Sequence, residues 1–189
     1  FGNAATPANK NSSRHGRITK LHFDRTGIAV EGCELAPILV ETERIVGRQD
    51  DGSNMHVFYQ LCHGQCEAAD MLPPEHYRCL SAPTSVSPDQ HAQQFAATRR
   101  AMQMLGISRE EQTDVFRVLS AVLVLGNVEF RADDHTAVVT PAELKQVAEL
   151  LDVDVDECSR ALCTRSFSTG AKLGRRQSSS VTAYLGCEQ

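Results

Sequence analysis

The stretch that most constrains this chain is Asn9-Lys10-Asn11-Ser12-Ser13-Arg14-His15-Gly16-Arg17, a dense polar loop that runs straight into a partly alternating segment from Ile18. A strand leaving such a loop would hold its end rigidly against a sheet. The loop's chemistry suits phosphate and metal. Hydroxyls of Ser12 and Ser13 are potential Mg²⁺ ligands, amides and backbone N–H groups hold phosphate oxygens, and Arg14 supplies a fixed charge. The same Ser/Asn-rich composition also describes an ordinary surface turn. On residue types alone, both readings stand.

Context along the chain separates them. Phe1-Gly2-Asn3-Ala4 followed by Asn9-x-Asn11-Ser12-Ser13-Arg14-x-Gly16 closely resembles switch I of the myosin motor domain. Further resemblances follow in the family's order. Ile38-Leu39-Val40-Glu41 with Arg44-Ile45-Val46 looks like its Leu-Leu-Glu-Lys-Ser-Arg-Val segment, and Asn54 to Leu61 is similar to its Phe-His-Ile-Phe-Tyr-Gln-Leu run. Val115–Leu123 and Leu125-Gly126-Asn127-Val128 resemble a hydrophobic helix and its Leu-Gly-Asn turn. Ala161-Leu162, Arg165 and Thr169-Gly170 fit Ala-Leu-x-x-Arg…Thr-Gly. The resemblance implies a mixed, mainly helical α/β piece of a myosin-type P-loop NTPase motor domain, with a β-hairpin from the central transducer sheet. Residues 1–17 would be the switch I region and 18–31 the transducer hairpin. Residues 32–170 would be a mostly helical upper-cleft region, and 171–189 a cardiomyopathy-like loop with the start of the next helix.

Local signals give the elements. Ile18–Asp24, the turn Arg25-Thr26-Gly27 and Ile28-Ala29-Val30 predict a β-hairpin. Ser53 is expected to cap a helix carrying His56, Val57, Phe58 and Leu61, and Pro73-Pro74 interrupts the chain before Tyr77–Leu80. Ser87-Pro88-Asp89 opens a helix whose Phe95, Thr98, Met102 and Leu105 share a face, ended by Gly106. Ser108 and Glu111 form a capping box for a helix through Leu125, closed by Gly126-Asn127. Thr140-Pro141-Ala142-Glu143 repeats the device, with Leu144, Val147 and Leu151 as the buried stripe. His56, beside Phe58 and Tyr59, reads as a packing histidine; His22 and His63 have no partner visible in the sequence.

With 189 residues, 41% of them hydrophobic, the chain is long enough to bury a sizeable core, yet Phe1 opens in mid-motif without an initiator Met or signal sequence, which reads as an excerpt. The net charge of −5 gives no reason to expect nucleic acid, and no run of about 18 apolar residues predicts a membrane span. Seven cysteines (33, 62, 66, 79, 158, 163 and 187) form an odd set with no Cys-x-x-Cys pair, as for reduced small hydrophobes in a cytoplasmic chain. Cys62-His63 and Cys66 could offer metal ligands, since positions i and i+4 share a face where a chain is helical, but they lack the second pair that a zinc site needs.

The resemblance implies roles residue by residue. Ser13 would ligate Mg²⁺, Asn9 and Asn11 would lie at the nucleotide with Asn9 on its phosphates, Ser12 would position the attacking water, and Arg14 would pair with a glutamate of switch II. The implied cofactors are ATP and Mg²⁺. The implied partners are actin filaments, with light chains or calmodulin through a neck beyond this chain, in the cytoplasmic actin cytoskeleton. The activity would be that of an actin-activated ATPase in the complete motor. The chain contains neither a Gly-rich phosphate loop nor an Asp-x-x-Gly-Phe-Glu segment; these are expected before Phe1 and after Gln189, and the isolated chain is expected to be inactive and to bind Mg·ATP very weakly. Two alternatives remain. One is a myosin-like scaffold without turnover. The other is a histidine phosphatase, because Arg14-His15-Gly16 spells its Arg-His-Gly triplet, although an apolar strand should precede that triplet and Asn9–Ser13 do so here. Departures from the family pattern are His15 for Phe, Arg17 for Lys, Ala5 for Lys and Val124 for His.

In the tail, Gly174–Ser180 would form an actin-facing tip. Arg175 and Arg176 precede Ser178, Ser179 and Ser180, and Arg-Arg-Gln-Ser looks like a site for a basic-directed kinase. Phosphorylation there would add roughly −1.5 to −2 charges. The alternative is an unregulated basic, serine-rich turn.

Overall fold

The computed structural model describes residues 1–46, 52–64, 66, 70–80, 85–133, 136–139 and 141–164. They belong to two units. The first comprises Phe1–Gly64 and Pro73–Phe95, and the second comprises Gln65–Leu72 and the chain from Ala96 onward.

In the first unit, β1 (Asn3–Ala4) and β2 (Ser12–Ser13) pair antiparallel, Asn3 opposite Ser13 and Ala4 opposite Ser12, which closes the polar loop into a ring. Ala4 is also bridged to Met55, and it is fully buried. The predicted hairpin follows as β3 (Gly16–Phe23) and β4 (Val30–Ile38), with Gly27 at φ +72° in the turn. The Asp24 carboxylate orders this turn by accepting the Ile28 N–H at 3.0 Å, the Ala29 N–H at 3.3 Å and the Thr26 hydroxyl at 2.6 Å. β4 starts later and runs further than expected, so residues 32–38 are strand rather than part of a helical region. Cross-strand chemistry extends it: Glu34 accepts Lys20 Nζ at 3.3 Å and pairs with His22 Nε2 at 2.9 Å.

After the short helix α1 (Glu43–Val46) comes α2 (His56–His63). Ser53 does not cap it. The N-cap is Met55 without a side-chain bond, because the Ser53 hydroxyl accepts the Ala5 N–H at 3.1 Å and donates to the Asn54 carbonyl. A single turn of 3₁₀-helix at Pro74–His76 follows the proline pair. The unit's core is built from Val57, Phe58, Tyr59 and Leu61 of α2 together with Tyr77, Cys79 and Leu80. Burial pushes the Cys62 thiol up to about 12 and the Cys79 thiol up to about 11, so both remain protonated hydrophobes.

The helix α3 (Pro88–Met104) opens with Pro at N1, and Ser87 accepts the Gln90 N–H at 3.3 Å. Phe95 and Met102 are buried as expected. Leu105 is not: it lies past the helix end, 79% exposed, where Gly106 turns the chain at φ +83°. In the second unit, α4 (Arg109–Leu125) has the predicted capping box, Ser108 and Glu111 each accepting the other's backbone N–H. Two elements absent from the sequence reading come next, the hairpin β5 (Phe130–Asp133) with β6 (Thr136–Val139). Then α5 (Pro141–Leu151) buries Leu144, Val147 and Ala148. Leu151, expected in that stripe, is 41% exposed because it ends the helix just before Asp152 takes a left-handed φ of +54°. A further helix, α6 (Val155–Cys163), also unforeseen, is capped by Asp154, which accepts from Asp156 and Glu157. Val128 and Leu144 anchor this unit's core, packed by Leu125, Phe130, Cys158, Leu162 and Cys163. Among the described residues no helix is long and apolar enough to cross a membrane.

Thr140, Arg165, Thr169, Gly170 and the tail residues Arg175, Arg176, Ser178, Ser179 and Ser180 lie outside the described residues.

Candidate functional site

The loop is shaped by its own amides and hydroxyls. Thr6 Oγ1 accepts the Asn9 N–H and donates to the Asn9 carbonyl, both at 3.1 Å, and the Asn9 side-chain oxygen accepts the Asn11 N–H at 2.9 Å. Asn3 then ties two expected site residues together, donating to Asn11 Oδ1 at 3.0 Å and accepting from Ser13 Oγ at 3.3 Å. Successive side chains of an extended strand point to opposite faces. Asn11 and Ser13 are accordingly exposed, whereas Ser12 and Arg14 are half-buried and meet: Arg14 Nη1 donates to Ser12 Oγ at 3.0 Å. Asn9 sits exposed at the start of the turn.

Arg14 is the most constrained of these residues. Its backbone N–H donates to the Gly2 carbonyl at 2.8 Å, and its own carbonyl accepts the Glu41 N–H at 3.0 Å. Its Nε donates to Glu41 Oε2 at 2.6 Å. The same carboxylate is gripped by Arg44, through Nε at 2.8 Å and Nη2 at 3.3 Å. Hydrogen bonding to Arg44, and then to Arg14, holds the Glu41 carboxyl below the usual carboxylate range against the opposing effect of burial.

Arg44 is itself fixed. It is only 5% exposed, and its Nη1 donates to the Ser53 carbonyl at 2.8 Å. The wholly buried Asn54 completes the base. Its amide nitrogen donates to the Arg44 carbonyl at 2.7 Å and to the Cys79 carbonyl at 2.6 Å, while its oxygen accepts the Met55 N–H at 2.7 Å. Sequence reading assigned no role to Glu41, Arg44 or Asn54. A signal existed in the Glu41-x-x-Arg44 spacing, opposite charges three residues apart, although Glu41 lies just before α1 rather than on it.

Beside the loop lies a cavity of about 590 Å³, lined by Lys10, Asn11, Ser53, His56, Tyr59 and His91 among others. Among the described residues expected at the site, only Asn11 reaches it. His91 stacks between Tyr59 and His63, with ring centroids 5.6 Å and 5.5 Å away. Burial lowers the pKa of both His56 and His91, in His56 against a bond to the Lys10 backbone, and favours the neutral ring at neutral pH. His15 fills the space over Gly2 so closely that a Cβ there would collide with its ring.

A family model described as myosin head (motor domain) matches residues 1–188. The chain belongs to the myosin motor-domain family. Among relatives, Myosin-15 of Arabidopsis thaliana is 38% identical over 89% of this chain and 12% of its own length. Myosin-14 of Homo sapiens is 36% identical over 90% of this chain and 9% of its own, and the Myosin ID heavy chain of Dictyostelium discoideum is 36% identical over 100% of this chain and 18% of its own. The chain thus spans less than a fifth of the length of these curated relatives. In this myosin segment the His15 ring lies against the bare backbone of Gly2.

Proposed function

We propose that this chain is the switch I segment of an actin-based motor, in which the Asn9–Arg17 loop responds to bound Mg·ATP and couples its hydrolysis to movement along actin filaments. The observation that carries the reading is the aim of Arg14: within a myosin motor-domain segment, its guanidinium is held at Nε by Glu41 and at Nη1 by Ser12. In this reading Arg14 pairs with the switch II glutamate, Ser12 orients the attacking water, and Asn9 and Asn11 face the nucleotide. Phosphoryl transfer gains most of its rate from such positioning and charge stabilisation.

Ser13 fits the Mg²⁺ role. Its hydroxyl is exposed and gives its proton to Asn3 Oδ1, which leaves lone pairs for a cation. Mg²⁺ commonly takes one or two protein oxygens and completes its shell with phosphate and water, so a lone hydroxyl from this segment suffices. Bound there, the ion would neutralise developing phosphate charge. The exposed apolar residues of the β3–β4 hairpin, Ile18, Leu21, Phe23, Val30 and Leu35, support reading it as strands of a larger transducer sheet in a P-loop NTPase fold. Light chains or calmodulin would bind through a neck, the setting would be the cytoplasmic actin cytoskeleton, and Ser178–Ser180 with Arg175 and Arg176 would tune actin contact. A histidine phosphatase fits less well, since its His and Arg must both reach one phosphate, whereas here the His15 ring lies against Gly2 and Arg14 is engaged by a carboxylate.

The test is Arg14→Ala and Ser13→Ala in the complete motor. Arg14→Ala should keep ATP binding but slow single-turnover hydrolysis on the order of a hundredfold or more. Ser13→Ala should raise the Mg²⁺ concentration needed for half-maximal activity. Wild-type hydrolysis in Arg14→Ala would sink the reading.

A further inference from the structure

We infer that Glu41 is a positioning residue for Arg14, a fixed carboxylate post that aims the guanidinium while leaving one of its edges open for a second acid. The inference rests on the reading of the loop as a nucleotide switch and extends it to a residue in a different part of the chain.

Three observations converge on Glu41. It grips Arg14 twice, by its backbone N–H on the Arg14 carbonyl at 3.0 Å and by Oε2 on Arg14 Nε at 2.6 Å. Its carboxylate cannot swing freely, because Arg44 holds both oxygens and is itself pinned to the Ser53 carbonyl and, through its own carbonyl, to buried Asn54. Finally, the carboxylate meets the Arg14 guanidinium at Nε alone. Ser12 takes Nη1, and Nη2 has no bond among the described residues.

The unbonded Nη2 points to what the pair is for. A guanidinium offers five N–H donors in a rigid planar fork, so one carboxylate at Nε and another at the Nη edge can be bound at once. Stability is a poor explanation. The Arg14 and Glu41 side chains are 26% and 28% exposed, and partly exposed ion pairs add little to a fold. Orientation is a better one, since an arginine has several rotatable bonds and must present one edge to a reacting site. Arg44 then serves as the base of the post. Its nearly complete burial lets it fix the carboxylate without competing for the loop's ligands.

A double-mutant cycle in the complete motor tests this, using Arg14→Ala, Glu41→Gln and their combination, read by single-turnover quench-flow and by the rate of fluorescent ATP binding. Glu41→Gln keeps the shape and a hydrogen bond to Arg44 but removes the charge. The expected result is hydrolysis slowed roughly tenfold with ATP binding within twofold of wild type, and Glu41→Asp falling between the two. In the Arg14→Ala background, Glu41→Gln should change hydrolysis by less than twofold, because the post then has nothing to aim. Equal slowing by Glu41→Gln with and without Arg14 would mean a general structural role and overturn the inference, as would wild-type hydrolysis in Glu41→Gln beside a slow Arg14→Ala. Wild-type hydrolysis in Arg14→Ala itself would instead bring down the switch reading, and the role of Glu41 with it.

Discussion

Around the polar loop, side chains are fixed by hydrogen bonds to other polar groups, some near in sequence and some brought in from other segments. Arg14 reaches Glu41, Arg44 reaches Ser53, and Asn54 reaches Cys79, with Asn54 and Arg44 almost wholly buried. In the second unit, α4 and α6 begin with caps made by residues three apart, and the elements then join through Val128, Leu144 and their apolar neighbours. The difference has an energetic meaning. An apolar contact is non-directional and repacks when one atom is lost, whereas a buried hydrogen-bond partner that is removed leaves an unsatisfied group whose cost is not shared. The loop region is therefore built to hold one geometry and to lose it abruptly. The helical unit should degrade by degrees.

Asn54→Ala should test the contrast most severely. It strands the Arg44 and Cys79 carbonyls and the Met55 N–H in a site with no exposed surface. At about 1–3 kcal/mol for each buried group left unsatisfied, local stability should fall by about 4 kcal/mol. Hydrogen exchange of the α2 amides measures this directly, and a loss under about 1 kcal/mol would show that water or a shifted side chain replaces the amide.

Leu123→Ala is the matching change in the second unit, at a side chain that is fully buried in α4. Partial collapse of the cavity should hold the cost to about 3 kcal/mol, read on the α4 amides. If Leu123→Ala exceeds Asn54→Ala, the polar network is less rigid than its distances imply. Ser108→Ala should come next. Losing the acceptor for the Glu111 N–H removes half of the capping box, about 1 kcal/mol, and the loss should be confined to the first turn of α4.

The same contrast explains what was legible in the sequence. A capping box is an i to i+3 device, so Ser108 and Glu111 announced α4, and Ser87-Pro88 announced α3. Asp154 and Glu157 carried a similar signal for α6 that went unread. Ser53 had the right residue type for a cap, but its hydroxyl is committed to Ala5, 48 residues away, and no local pattern records that. Leu105 lies one residue past the end of α3 and Leu151 is the last residue of α5, so the apolar stripes are cut off where the backbone turns at Gly106 and Asp152. At the site, motif resemblance picked out Ser12 and Arg14, which the fold brings together. Glu41 carries no local mark of its role, because pairing across 27 residues depends on where β4 delivers the chain.

Acid should produce the smallest effect and the finest comparison, because among the described residues each unit has one glutamate held below its usual range. For Glu41 the cause is the two arginines; for Glu111 it is the backbone N–H of Ser108, followed by the Ser108 hydroxyl. A carboxylate with a depressed native pKa stabilises the fold fully above its unfolded value of about 4.3, and the contribution is lost as pH falls through the native value. Both units should therefore loosen below about pH 4.3 rather than above it. The consequences differ. Protonating Glu41 leaves Arg14 and the buried Arg44 facing one carboxyl with no countercharge, while protonating Glu111 weakens one bond at an exposed helix start. After correction for intrinsic exchange, the Glu41 amide, which bonds the Arg14 carbonyl, should lose protection more steeply with acid than the amides at the start of α4. Glu41→Gln should flatten the first profile and leave the second unchanged. Parallel profiles in the wild-type protein would mean that the two arginines add nothing to the loop beyond what an ordinary cap gives a helix.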